Sequence, residues 1–131
     1  MSLNKAVHVP GAFRPPAPLS PGLRRGPFLW ISGQVPVDRD TFASVGTGIR
    51  EQTQITLDNV LAVAQAGGAR LEDIVKTTVF LTDINDGPAM NDVYASFFPE
   101  PRPSRSTVQV GPLARPEFLI EIEALAYIGQ D

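Results

Sequence analysis

From Thr47 or Gly48 onward, Thr53, Leu57, Val60 and Ala64 recur three or four positions apart, and the run stops at Gly67-Gly68. That spacing predicts a helix with one buried stripe and a glycine stop. A second stripe, Met90, Val93, Tyr94, Phe97 and Phe98, ends before Pro99 and predicts a second helix whose apolar face belongs to the core. Strand patterns differ. Ile74 to Leu81 is rich in β-branched residues, and Phe28 to Ser32 is a compact apolar run closed by Gly33 and Pro36, both of strand length. Phe42 to Val45 reads as a return strand after the Asp38-Arg39-Asp40 turn. Residues 105 to 110 and 117 to 128 alternate. In the latter, Phe118, Ile120, Ile122, Ala124 and Ala126 share one face, and Leu119, Glu121, Glu123, Leu125 and Tyr127 the other.

Two strands, helix, strand, helix and two strands predict an α+β fold, a mixed sheet with two helices on one face. With the helices packed on the isoleucine side, the other face leaves Leu119 and Leu125 wet around two glutamates, which predicts a homo-oligomer built through that face.

Length and composition narrow the picture. The 131 residues, 43% hydrophobic and 19% charged, fit one domain over 1–131. Six of the thirteen prolines, at positions 10, 15, 16, 18, 21 and 27, make residues 1–27 an extended lead-in with at most one short strand, Ala6 to Val9, ahead of a core over 28–128. A net charge of -3 has the wrong sign for gripping phosphate backbones, so no nucleic-acid partner is expected. Without cysteine and with one histidine, thiolate zinc sites, cysteine nucleophiles and histidine relays are removed. No apolar run reaches a membrane span, and Met1-Ser2-Leu3-Asn4-Lys5 has no apolar signal core, which makes the cytoplasm the expected location.

The last two strands are joined by Gly111-Pro112-Leu113-Ala114-Arg115-Pro116, short enough for an antiparallel hairpin. Folding about Leu113 sets Arg105 opposite Glu121, or opposite Glu123 after a two-residue shift. Arg105, Thr107 and Gln109 would then share the glutamate face. A guanidinium facing a carboxylate is a structural ion pair in one reading. In the other it is a grip for a small carboxylic acid, with a glutamate to hold and polarise water. The remaining charged candidates carry less. His8 has no acidic or hydroxyl neighbour in sequence, Arg24-Arg25 is a solvated pair that could steer anions, and Arg102 sits exposed between prolines. Gly67-Gly68 terminates a helix, with no phosphate-cradling glycine pattern around it.

Seven ordered blocks carry a resemblance: Ile31-Ser-Gly-Gln-Val-Pro-Val37, Glu51-Gln-Thr, Leu57-Asp-Asn-Val60, Asp73-Ile-Val-Lys-Thr-Thr-Val-Phe-Leu81, Met90-Asn-Asp-Val-Tyr94, Pro103-Ser-Arg-Ser-Thr-Val108 and Ile120-Glu-Ile-Glu-Ala-Leu-Ala126. From about residue 17 to 128 the chain resembles the RidA/YjgF family of reactive-intermediate deaminases, also labelled endoribonuclease L-PSP. The resemblance implies a chorismate-mutase-like subunit, a homotrimer, and pockets between neighbouring subunits. It also implies hydrolysis of 2-aminoacrylate and 2-iminopropionate-type enamines and imines to a 2-oxo acid and ammonia, without metal or cofactor. By the same resemblance Arg105 binds the substrate carboxylate and Glu121 places the attacking water. Asn91, Ser32, Gly33 and Thr107 belong to the pocket.

One position departs from the family. Its Gly-Pro-Tyr-Ser lip corresponds to Ala17-Pro-Leu-Ser20, so Leu19 stands where a phenolic hydroxyl would be. An aliphatic side chain cannot hydrogen-bond a substrate or water, which leaves open reduced activity, a more apolar substrate, or another group supplying the contact, and it argues for the rival reading of a non-catalytic trimer that binds small carboxylates. Gly87-Pro88, where an aromatic often stands, is a second change. The ribonuclease label fits poorly with the acidic charge and the lone histidine.

Overall fold

The computed structural model describes residues 2–129. Six strands form one sheet: β1 (Lys5–Val7), β2 (Gly22–Arg25), β3 (Phe28–Gln34), β4 (Ile74–Leu81), β5 (Ser104–Gln109) and β6 (Ile120–Tyr127), in the order β1-β2-β3-β6-β4-β5. Only the β4–β5 pair is parallel. Helices α1 (Gly48–Ala66) and α2 (Gly87–Phe97) pack on each other, and Leu57, Val60, Val63, Met90 and Tyr94 close the core over Leu29, Ile31, Val79, Leu81, Ile120 and Ile122 of the sheet. The expected α+β class and both helices are found as read.

The expected hairpin is not. β5 lies at the sheet edge, parallel to β4 with Thr77 beside Arg105 and Val79 beside Thr107, and β6 runs antiparallel between β3 and β4. Composition explains the choice. Ser-Arg-Ser-Thr-Val-Gln is polar enough to tolerate an edge, whereas Ile120, Ile122, Ala124 and Ala126 must be covered and therefore take the centre. Arg105, Thr107 and Gln109 consequently share the face of Thr77 and Val79, toward the helices. Glu121 and Glu123, opposite Phe80 and Thr78, point to the other side.

Two further expectations change. Phe42 to Val45 contributes only a single bridge, Ser44 with Val37, and the lead-in holds a second strand, β2, whose Gly-Leu-Arg-Arg sequence lacks β-branched residues. Arg24 of that strand is not merely solvated. Its guanidinium Nη1 donates to the Gly67 carbonyl at 2.8 Å and so caps the end of α1, which has no basic residue in its own last turn. Arg102 likewise donates to the Phe98 and Ala95 carbonyls at the end of α2.

Two buried amides on α1 fix the loops that frame the open side of the sheet. Gln52 accepts from the Leu119 amide at 2.8 Å and donates to the Glu117 carbonyl at 2.9 Å, which holds the approach to β6. Asn59 donates to the Val35 and Val37 carbonyls, both at 3.0 Å, and accepts from Arg39 at 3.1 Å, which holds the exit from β3. Gln52 spends its polar atoms on loop backbone, and Asn59 its NH2 group, while the Asn59 oxygen takes the Arg39 guanidinium.

Candidate functional site

β3 loses register with β6 between Ile31 and Gln34, so Ser32-Gly33 forms a bulge opposite Glu123, with the Glu121 side chain lying against Gly33. Bulges re-aim side chains, and this one opens the sheet where the glutamate emerges. A Cβ built on Gly33 would fall on the Glu121 Oε2 atom and 2.8 Å from its Cδ, so the missing side chain is what lets the carboxylate lie against the strand. The Ser32 amide donates to the Pro21 carbonyl at 2.9 Å and its hydroxyl to the Ser20 carbonyl at 2.7 Å. These bonds anchor Ala17-Pro-Leu-Ser20 over the bulge and place Leu19 at the rim.

Between the lead-in and the bulged strand lies a cavity of about 610 Å³, whose walls include His8, Phe13, Leu19, Ser32, Gly33, Val35, Phe42, Glu121 and Glu123. Burial, and secondarily repulsion from Glu123, pushes the Glu121 carboxyl above its ordinary range. A carboxylate that binds its proton more tightly than usual is a stronger base toward a bound water. His8 packs into the wall with a buried Nδ1 that meets no partner among the described residues.

Arg105 stands elsewhere. Its guanidinium carbon lies 4.7 Å from the Tyr94 ring centroid and its Nη1 is 3.8 Å from the Met90 sulfur, while Tyr94 shares a 2.7 Å hydrogen bond with Thr77. The ring and the thioether support the cation without neutralising it. No carboxylate pairs with Arg105 among the described residues, and its residue remains exposed. Asn91, the residue after Met90, is exposed on α2, and Thr107 has a buried hydroxyl oxygen without a partner among the described residues.

Ser32, Gly33, Glu121 and Leu19 are therefore brought together, and Arg105, Thr107 and Asn91 form a second group around α2 and β5. The two groups lie on opposite faces of the sheet, separated by β4. Arg105 faces neither glutamate of its own chain, so one chain holds neither the cross-strand ion pair nor a site with both groups. Sequence reasoning missed Tyr94 and Met90 as the platform under Arg105 and missed Phe13 and Val35 as cavity wall. A usable signal existed for the first pair, since both fall on the buried stripe of α2 that packs against the sheet. Among the described residues no group of His, Asp and Glu is placed to hold a metal ion.

A six-stranded mixed sheet, two helices on one face, a parallel edge pair spanning α2 and a glutamate beside a bulge define a RidA-type α+β subunit. The family model described as endoribonuclease L-PSP matches residues 10–128. A RutC family protein of Pyrococcus horikoshii is 41% identical over 125 residues, covering 95% of this chain and 98% of that protein. A 2-iminobutanoate/2-iminopropanoate deaminase of Dermatophagoides farinae is 37% identical over 128 residues, covering 98% and 99%. The crystal structure of E. coli TdcF with bound serine superposes with a TM-score of 0.88 at 36% identity, covering 95% of this chain and 99% of that one. The chain belongs to the endoribonuclease L-PSP family, which is the RidA/YjgF family of the resemblance.

Proposed function

We propose that the protein hydrolyses 2-imino acids and their enamine tautomers to 2-oxo acids and ammonia, in a site that two copies complete. The observation that carries this reading is the division of the chemistry. An unpaired guanidinium on the helix side of the edge strand and a proton-hungry glutamate on the opposite face cannot meet one small molecule within a single chain. The relative named as an imine deaminase, similar along nearly its whole length, supports the reaction class.

In this reading Arg105 of one copy clamps the substrate carboxylate with two parallel N–H donors, and Glu121 of its neighbour orients a water at the imine carbon. Water oxygen bonds to C2, the C=N π pair moves to nitrogen, and proton transfer then lets the C–N bond break. The products are a 2-oxo acid and ammonia. The imine carbon is already electrophilic, so positioning supplies most of the acceleration. The homo-oligomer, a trimer by the family resemblance, follows from the same division and from the open sheet face, where Phe28, Trp30 and Tyr127 are 40%, 46% and 46% exposed.

Leu19 favours a second reading, a trimer that binds small carboxylates without turnover, because no hydroxyl at that position can reach a substrate or water. An amino-acid oxidase generating 2-iminopropanoate in situ separates the two, with ammonia release followed with and without protein. Arg105→Ala is expected to fold and assemble normally yet lose at least about a hundredfold in kcat/KM, the scale on which misplaced reactants cost rate. Full turnover in that variant would remove Arg105 from the mechanism, and no acceleration by the unmodified protein, together with 2-oxo acid binding, would establish the binder.

A further inference from the structure

Resting on the imine-hydrolysis reading, we propose that the preferred substrates carry a large apolar side chain, which lodges in the cavity beside Glu121, and that Leu19 is a specificity-determining residue for it. The wall residues named below all come from the copy that supplies Glu121. At about 610 Å³ the cavity lies within the roughly 300–1,000 Å³ range of sites that hold drug-sized ligands, far more than a methyl or ethyl substituent needs. Its walls include Phe13, Leu19, Val35, Val37 and Phe42, and Glu121 joins the same space. Leu19 is 57% exposed and Phe13 47%, so both offer apolar surface that nothing in the chain covers.

That surface is held in place rather than loose. The Ser32 hydroxyl and amide fix Ser20 and Pro21, the Leu19 amide donates to the Ala17 carbonyl at 2.8 Å, and the Phe13 amide donates to the Arg39 carbonyl at 2.8 Å. The Phe13 ring stacks on Phe42 with centroids 5.4 Å apart. A substrate whose C2 sits at the Glu121 carboxylate has its carboxylate directed to the partner's guanidinium, and the direction left for its side chain is this recess. Each methylene buried there is worth about fourfold in binding. A leucine- or phenylalanine-derived imine should therefore surpass the alanine-derived one by at least about tenfold in kcat/KM. Two cationic members of the lining, Arg14 and Arg39, define the competing case of a side chain ending in a carboxylate.

The test compares imines generated by amino-acid oxidases from alanine, 2-aminobutyrate, leucine, phenylalanine and glutamate, with the unmodified protein and with Leu19→Asn, a near-isosteric polar change at an exposed position. The expected result is a kcat/KM that rises with apolar side-chain size, and a leucine-to-alanine ratio that falls severalfold in Leu19→Asn, carried mainly by KM. Equal or better turnover of the alanine-derived imine overturns this inference while leaving imine hydrolysis standing, as does a preference for the glutamate-derived imine. An unchanged ratio in Leu19→Asn removes Leu19 as its determinant. Failure to accelerate any imine overturns both the inference and the reading beneath it.

Discussion

Gly33 and Glu121 act as a pair. Because a Cβ at position 33 would meet the far end of the glutamate rather than backbone, the strand can accept Gly33→Ala by pushing the carboxylate aside. The expected outcome is a fall in kcat of about tenfold or more, from a displacement on the ångström scale, with thermal stability little changed. Steady-state kinetics beside a melting curve checks it. The protonation of Glu121 gives a second expectation. Its folded-state pKa is raised from the ordinary 4.5, first by burial and then by Glu123. As pH falls, the carboxylate should protonate earlier than an ordinary glutamate, so the acid limb of kcat/KM should lie above 4.5 and move lower in Glu123→Gln. Stability runs the opposite way. A group that holds its proton more tightly when folded favours the fold at low pH, and that contribution fades as pH rises through the folded pKa. A pH–rate profile and melting curves over the same range read both signs.

The elements were legible wherever a single local signal decided them. Helix α1 follows from its stripe and glycine stop, and β4 runs from Ile74 to Leu81 as its β-branched composition predicts. Pairing was not local. β5 and β6 are close in sequence, yet β5 joins β4 through the α2 crossover and β6 inserts one strand further in, so a short connector misled where relative apolarity decided. Gln52 and Asn59 were missed for another reason: hydropathy reads an amide as surface, although both sit on the buried stripe of α1, seven residues apart and thus on one helical face. Gln52→Ala would strand the Leu119 amide and the Glu117 carbonyl together. A loss of about 1–3 kcal/mol is expected, since each buried group left unpaired costs on that order, and urea unfolding at constant m-value measures it.

On the scale of the whole molecule, motif blocks nominated Arg105, Glu121, Ser32, Gly33 and Thr107 as candidates, but the division of those candidates between two faces was not legible, because facing depends on which strand lies beside β4. If two copies share a site, Arg105→Ala and Glu121→Gln proteins, each inactive alone, should recover part of the activity when unfolded together and refolded as mixed assemblies. Mixing without subunit exchange should recover none. Recovery absent from verified mixed assemblies would mean that one copy supplies both groups.

The position of β6 has a consequence for how the molecule comes into being. The last strand among the described residues, β6, lies between β3 and β4, and no other strand there bridges them. During translation β1-β2-β3 and β4-β5 can gather as two separate strand groups, each with an open flank, but they cannot be joined into one sheet until residues 120–127 have left the ribosome. A stop codon ahead of Ile120 would therefore take out the keystone of the sheet rather than trim its border, and the nascent chain depends on β6 to become whole.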